Sequence, residues 1–369
     1  MATYGQINAE NITSSTGGVI SPNITSLRNR IINGAGLIDQ RNAGSAVTNG
    51  NGTTYFVDRW MVYDGNGGSH FSIGQNLNSV TPPTGFKSYI GIKTTSAVSA
   101  SATNNFTLTQ YIEGYNVNDL TWGTANAKTV SISFWVQSSL TGTFAVMMSS
   151  ETYDAQYVAT YSIPVANTWT YITVTVPGPT IGTWSVTNGR GIDLRFDLGM
   201  GSNYAGTAGA WTASNIYTVT GATSVVGTSG ATFYITGVQL EVGAQATSFD
   251  YRPYGTELAL CQRYYFQNTG LASTTTNFGS ATSISATQAY IQVPFPVSMR
   301  TGPTISYGGT VNVSDSNTYD LAISAIVTNQ SNTNYGSGKV TTASGQTLYR
   351  PQTLWVNSTT SFLAFTAEL

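Results

Sequence analysis

The chain has 369 residues, of which 8% are charged, and its formal net charge is −2. So weak a charge forms no basic stripe, which argues against nucleic acid as the main partner. No run of about 20 apolar residues occurs, which argues against insertion into a membrane. Glycine is abundant, with 39 residues, and strong helix formers are scarce. This composition is typical of an all-β extracellular or virion scaffold.

The sequence gives no sign of disulfide bonds or of secretion. The single cysteine, Cys261, cannot form an intrachain disulfide, and its apolar neighbours favour the role of a small buried side chain. The first residues lack the basic and hydrophobic regions of a secretory signal. We therefore expect a protein that is made and folded in a cytoplasm and functions without disulfides.

The N-terminal residues differ from the rest of the chain. Residues 1–26 are polar and rich in turn-forming residues, and they contain too few apolar residues to fold alone. We expect them to form an extended anchoring arm that orders against a partner.

Residues 27–250 consist of short β-branched and aromatic runs separated by Gly, Pro, Asn and Ser clusters. This spacing predicts a β-sandwich and, within that class, a jelly roll. In the last predicted strand, Gly237 interrupts the alternation of apolar residues between Phe233 and Leu240, which predicts a β-bulge. The nine predicted strands are residues 55–63, 88–92, 105–112, 129–137, 143–148, 156–163, 170–176, 192–198 and 231–241.

Residues 251–369 form a second block of strands. Pro253 removes a backbone donor and Gly255 permits a turn, so the chain changes direction between the two blocks. One helical turn is expected within residues 258–266. The remainder predicts a smaller β-sandwich held closely to the first domain, because the connection is short and carries aromatic residues. Its predicted strands are residues 288–293, 304–307, 319–325, 353–356 and 362–365.

Three segments carry a resemblance to a known group of proteins. Residues 28–42 read RNRIINGAGLIDQRN, residues 56–60 read FVDRW, and the junction consists of residues 233–243 followed by 249–265. In combination these segments resemble tailed-phage virion proteins, mostly tail-fibre or other structural proteins. The resemblance covers residues 27–300, and none of its motifs is catalytic.

This resemblance implies a place and a set of partners. It implies a virion protein, on a tail fibre, a head fibre or as decoration, that forms a homo-oligomer, most commonly a trimer. Residues 1–26 would attach it to other virion proteins. The β domains would then project from the particle.

The sequence offers few candidates for catalysis. His70 is the only histidine, and no nucleophile motif lies near it. Asp193, Arg195 and Asp197 alternate along one predicted strand and so share a face. We expect Arg195 to hold both carboxylates ionised, which leaves no acid for glycoside hydrolysis and favours an ion-paired strand face. We therefore expect no catalytic residues, no metal site and no cofactor, since His and Cys are too few for a metal site of that kind.

Sugar binding is a more specific functional hypothesis than catalysis. Residues 27–250, with the closing strand that contains Gln239 and Glu241, look like carbohydrate-binding modules of the jelly-roll class, which stack sugar rings on exposed aromatic side chains. Such modules often carry a structural calcium, but no recognisable loop for one occurs here. Trp135 and Trp169 flank apolar runs and are expected in the core. Three tryptophans in loop-like contexts are the glycan-binding candidates, with packing or a subunit contact as the alternative for each: Trp122, Trp184 and Trp211.

Two functions follow from these observations. The first is a non-enzymatic virion fibre that contacts glycans of the host surface. The alternative is a capsule or lipopolysaccharide depolymerase, or the glycan-binding module of one. The missing catalytic constellation favours the first.

Overall fold

The computed structural model describes residues 27–271, 274–315 and 320–369. It also describes the backbone of two short strands near the N-terminus, β1 (Ile12–Thr13) and β2 (Val19–Ile20), which pair with each other. The rest of the predicted arm, residues 1–26, lies outside the described residues.

The first large unit is a two-layered β-sandwich. Its short 3₁₀ helices are Leu77–Ser79, Gly114–Asn116, Asn118–Leu120 and Ser202–Tyr204. Its strands are β3 (Val47–Thr48), β4 (Gly52–Tyr55), β5 (Met61–Asp64), β6 (Phe71–Gln75), β7 (Ile90–Thr94), β8 (Asn105–Glu113), β9 (Val130–Ser138), β10 (Gly142–Ser149), β11 (Gln156–Ile163), β12 (Thr170–Val176), β13 (Arg190–Met200), β14 (Ala205–Gly206), β15 (Trp211–Thr212), β16 (Thr218–Val219) and β17 (Thr232–Val242).

The strands form two antiparallel sheets. The seven-stranded sheet has the order β15-β11-β10-β13-β8-β5-β4, and the six-stranded sheet has the order β12-β9-β17-β7-β6-β3. The strands β14 and β16 form a small parallel pair apart from both sheets. The expected all-β class and jelly-roll sandwich are thereby confirmed.

Alternation along the strands builds the core between the two sheets. Phe134 of β9, Phe196 of β13 and Phe233 of β17 are each fully buried. The rings of Phe134 and Phe196 pack edge to face with centroids 5.1 Å apart. Burying each such side chain stabilises the fold by about 1.5–3 kcal/mol. The predicted bulge in β17 is present, because the register shifts between Thr236 and Gln239.

The prediction of one strand over residues 55–63 is wrong. The chain makes a tight turn between β4 and β5, where Arg59 has φ +70° and the Phe56 N–H donates to the Trp60 carbonyl over 3.1 Å. Phe56 and Trp60 are fully buried. An apolar run that lies buried in a turn has the same composition as a strand, which explains the error.

The second unit begins with the helix α1 (Tyr254–Gln262), which is longer than the single turn expected. Its strands are β18 (Tyr265–Thr269), β19 (Thr276–Ser283), β20 (Gln288–Pro294), β21 (Thr304–Gly308), β22 (Asn312–Ser314), β23 (Leu321–Thr328), β24 (Tyr335–Thr342), β25 (Pro351–Val356) and β26 (Phe362–Thr366). Six of them close into a barrel in the order β19-β20-β24-β23-β22-β25, beside a three-stranded sheet β18-β26-β21. The smaller β unit is therefore present, and its strands close on themselves instead of forming two open layers.

Buried ion pairs connect the two units. Glu113 at the end of β8 accepts from Arg263 and from the Tyr264 hydroxyl, the latter over 2.5 Å. Near the other end of the chain, Glu368 pairs with both Arg41 and Arg59. Both glutamates have 5% or less of their side chains exposed. Breaking one of these pairs would leave a buried charge without a partner, so the contact is costly to separate.

Candidate functional site

The structure brings the three nominated tryptophans together in one cluster. The ring centroids of Trp122 and Trp184 are 4.7 Å apart, those of Trp122 and Trp211 5.4 Å, and those of Trp184 and Trp211 5.6 Å. All three pairs are edge to face. Trp122 is buried, while Trp184 and Trp211 are half-buried against the sandwich core.

Every indole N–H of this tryptophan cluster has a partner within the protein. Trp122 donates to the Lys128 carbonyl over 2.8 Å, Trp184 to Ile181 over 3.0 Å, and Trp211 to Pro177 over 2.6 Å. A cavity of about 30 Å³ lies beside Trp122 and Trp184. That volume holds one or two water molecules and no sugar ring. The cluster therefore has the features of packing, and only the half-buried edges of Trp184 and Trp211 are open to a ligand.

A different tryptophan lies on an open face of the sandwich. Trp135 was expected in the core, but it follows inward-pointing Phe134 and so projects from the outer face of the six-stranded sheet, where it is half-buried. It lies directly opposite Tyr171 of β12. The two rings have centroids 5.2 Å apart and are tilted by 44°. We call this pair the aromatic platform.

The aromatic platform carries hydrogen-bonding groups without protein partners. All seven tryptophans lie within the described residues, and Trp135 is the one whose indole N–H donates to no group among those residues. Tyr171 has 44% of its surface exposed. Thr173, next on the same face of β12, is also exposed. An apolar ring surface flanked by free donors and acceptors is the chemistry that fits a sugar.

Beyond β9 the outer face of the six-stranded sheet is covered, since Thr236 of β17 is fully buried. Thr236 of β17 lies opposite Trp135, and Gly237 has φ +63° at the bulge, where an added Cβ would lie 2.6 Å from the Phe86 ring. Phe86 contacts Phe249 and Tyr251 with centroids 5.2 and 5.5 Å away.

The charged residues of β13 do not form the expected arrangement. Arg195 donates to Asp193 over 2.9 Å, whereas Asp197 instead accepts from Thr218 and from the Gly199 N–H. Burial raises the pKa of Asp197 to about 7, so Arg195 does not hold both carboxylates ionised as predicted. The two carboxylates are four residues apart on one strand, about 13 Å. That exceeds the separation of roughly 5–9.5 Å that glycoside hydrolysis uses.

His70 has a structural environment. Its Nδ1 lies 2.8 Å from Asp64 Oδ2, and its ring packs edge to face on Phe106. Within the described ranges, no three His, Cys, Asp or Glu side chains come together as a metal site would require. No helix among the described residues is long and apolar enough to cross a membrane.

This chain is only distantly similar to known proteins. No protein-family model matches the sequence, and no curated protein matches it. A solved structure of the enzymatically active domain of bacteriophage CBA120 tailspike protein 4 is 14% identical, covers 58% of this chain with a TM-score of 0.29, and is matched over only 21% of its own length. This chain thus spans about a fifth of that protein.

Two carbohydrate-binding domains are also similar. The family 11 carbohydrate-binding module of Clostridium thermocellum, solved with a mixed-linked tetrasaccharide, is 14% identical over 54% of this chain and all of its own, with a TM-score of 0.27. The N-terminal cellulose-binding domain of Cellulomonas fimi β-1,4-glucanase C is 12% identical over 51% of this chain and 90% of its own, with a TM-score of 0.25. At these identities and scores the likeness identifies no binding residue here.

Proposed function

We propose that this chain is a non-enzymatic, oligomeric structural protein of a phage particle, and that its sandwich domain binds glycans of the host surface through the aromatic platform. The proposal of glycan binding rests on the Trp135–Tyr171 pair, whose rings are tilted against each other on a sheet face. Trp135 is half-buried, Tyr171 is exposed, and the indole N–H of Trp135 donates to no group among the described residues. The virion part rests on the sequence motifs at residues 28–42, 56–60 and 233–265.

The platform suits a polysaccharide for a physical reason. Sugar rings have apolar C–H faces that stack on aromatic side chains and hydroxyl groups that need hydrogen-bond partners. Trp135 and Tyr171 supply both, and neither has to give up a bond to the protein in order to bind. By contrast, Trp122, whose N–H already donates to the Lys128 carbonyl, would have to break a part-buried hydrogen bond.

Binding is tested with Trp135→Ala and Tyr171→Ala on an array of purified bacterial capsular polysaccharides and O-antigens. The matched control is Tyr290→Ala, because Tyr290 lies on a strand of the barrel and is 43% exposed, against 44% for Tyr171. We expect both platform variants to lose about tenfold or more in affinity, equivalent to roughly 1.4 kcal/mol, and the control to bind as the unaltered chain does. No binding to any polysaccharide, or equal losses in all three variants, would contradict the proposal.

The reaction product distinguishes a depolymerase from a protein that only binds polysaccharide. An enzyme that cleaves polysaccharide generates new reducing ends, and a binding protein does not. A reducing-sugar assay on the polysaccharide bound in the array decides between them. New reducing ends at a rate that depends on the protein concentration would overturn the non-enzymatic proposal.

The virion role has its own test. Antibodies against the sandwich domain should label intact particles, and a chain that lacks residues 1–26 should not assemble into them while its thermal transition stays nearly unchanged. Labelled particles that still carry the shortened chain would refute the role of the arm in anchoring.

A further inference from the structure

One edge of the sandwich is unlike the other three. The strands that end the two sheets are β15 with two residues, β4 with four, β3 with two, and β12 with seven. Natural proteins commonly keep edge strands short, because a long edge presents a row of unpaired N–H and C=O groups. The part of β11 that extends beyond its pairing with β15, residues 158–163, is one residue shorter than β12. The strand β12 is therefore the longest open edge of this domain.

The free edge of β12 has no partner among the described residues. The strand pairs with β9 along all seven residues, from Thr170 opposite Val136 to Val176 opposite Val130. On its other side, none of the backbone hydrogen bonds of the described turns and loops reaches residues 170–176. In an antiparallel ladder, every second residue turns its N–H and C=O away from the paired strand. These outward groups of β12 are available to another strand.

The usual protection of an edge strand is missing from β12. Its sequence TYITVTV contains no charged residue, no proline and no glycine, and its register with β9 is unbroken. The surrounding residues 155–189 contain no Asp, Glu, Lys or Arg at all. The same stretch exposes four large apolar side chains to between 41 and 56%: Val165, Tyr171, Ile181 and Val186. An uncharged, partly apolar surface around an open strand is typical of a protein interface.

We propose that β12 pairs antiparallel with β12 of a second copy of this chain, so that the two six-stranded sheets become one continuous sheet. The sequence of the strand is compatible with itself in this arrangement, because pairing centred on Thr173 places Ile172 opposite Val174 of the second copy. Full overlap places Thr173 opposite the same residue of the second copy, on a two-fold axis. The low net charge of −2 opposes the approach of two copies only weakly.

A second copy fits this edge better than an unlimited series of strands would. Two-fold pairing uses both free edges at once, and the far edge of each sheet ends in the two-residue β3. The assembly therefore closes at two chains. This contact pairs backbone groups along the edge of β12, and the side chain of Tyr171, which also belongs to the aromatic platform, stays on the outer face beside Trp135. The contact differs from the three-fold assembly that the phage resemblance implies.

The mass of the full chain in solution tests the contact. The unaltered chain should have twice its 39.0 kDa mass across the micromolar range. In Thr173→Lys, two ammonium groups would face each other across the axis, and we expect a monomer that still unfolds cooperatively. The matched control is Thr282→Lys, at an exposed position that is paired on both sides within the closed barrel, and it should remain a dimer. A monomeric or trimeric unaltered chain, or a Thr173→Lys variant that stays dimeric, overturns the proposal.

A cysteine variant tests the register even if the charged variant folds poorly. Residues opposite each other in an antiparallel pair have Cβ atoms about 4.5–5.5 Å apart, which a disulfide can bridge with small adjustment. The only native cysteine, Cys261, is fully buried and does not compete. Air oxidation of Thr173→Cys should give a covalent dimer on a non-reducing gel, and Thr282→Cys should give none. Equal cross-linking of both variants, or none in either, would contradict pairing through β12.

Discussion

The two outer faces of the sandwich are built from the same alternating strands and differ in how completely they are covered. On the seven-stranded sheet, the face that carries Asp193 and Arg195 is covered by the segment 201–219, and Arg195 is only 6% exposed. On the six-stranded sheet, the outward side chains of β17 are also buried, and the open part of the face is β12 with Trp135 beside it. The covering segment, and not the strand sequence, therefore decides which outward side chains are buried.

Covering one face has consequences for its polar groups. Asp193 Oδ1 and Arg195 Nε are buried without hydrogen-bond partners, and Arg195 lies within 5.1 to 6.0 Å of the ring centroids of Tyr111, Tyr153 and Tyr217. Cation–π contacts of this kind compensate in part for lost hydration. The covered face thus contributes to the stability of the protein and to the pH dependence of that stability. The open face can bind a ligand without first burying polar groups that lack partners. The following predictions test that division.

The largest expected effect is on stability, in the tryptophan cluster at the edge of the covered sheet. Trp122→Ala removes a buried indole that packs on two other tryptophans, and such substitutions cost about 3–5 kcal/mol. Trp135→Ala removes a half-buried ring from an open face and should cost well under half of that. Urea unfolding followed by circular dichroism measures both. Equal losses would show that the platform is part of the packed structure and would remove the contrast between the two faces.

The second prediction concerns pH and the covered face. Because burial raises the pKa of Asp197 to about 7 from an ordinary 3.8, the folded state holds a proton that the unfolded state has released. The contribution of Asp197 to the free energy of unfolding is fully present below pH 3.8 and is lost as the pH rises towards 7. Each unit of pKa difference corresponds to about 1.4 kcal/mol, so the total is a few kcal/mol.

The variant Asp197→Asn measures how much Asp197 contributes to the pH dependence of stability. An amide does not titrate in this range, and its oxygen can still accept the hydrogen bond from the Gly199 N–H. Asp58 also has a pKa raised by burial to about 7 and is retained in the variant. We therefore expect the fall in unfolding free energy between pH 4 and 7 to become shallower in Asp197→Asn but not to vanish. Identical pH profiles for the variant and the unaltered chain would show that Asp197 is ionised when folded.

Sequence reasoning reached the fold but not the division between the faces. The strands at 156–163 and 170–176 and the bulge at Gly237 follow from alternation and a single glycine, which are local signals. Alternation also indicates the outward position of Trp135. Ile132, Phe134 and Val136 point inwards, so their neighbours in the strand point outwards. The apolar run around Trp135 predicts a core position, whereas the alternation within that run places this residue on the outer face. Burial of Trp122 depends on two distant tryptophans, and no local pattern contains that information.

The smallest expected effect tests whether the open face uses its hydroxyl groups as well as its rings. Tyr171→Phe keeps the ring that packs on Trp135 and removes one hydroxyl that has no hydrogen bond within the described protein. Stability should therefore stay within about 0.5 kcal/mol, as for most exposed substitutions. If the hydroxyl bonds to a sugar, affinity should fall by about 0.5–1.5 kcal/mol, or roughly two- to tenfold. Titration calorimetry with the polysaccharide that binds best measures this, with Tyr290→Phe as the control. An unchanged affinity in Tyr171→Phe beside a large loss in Tyr171→Ala would assign the whole contribution of Tyr171 to stacking.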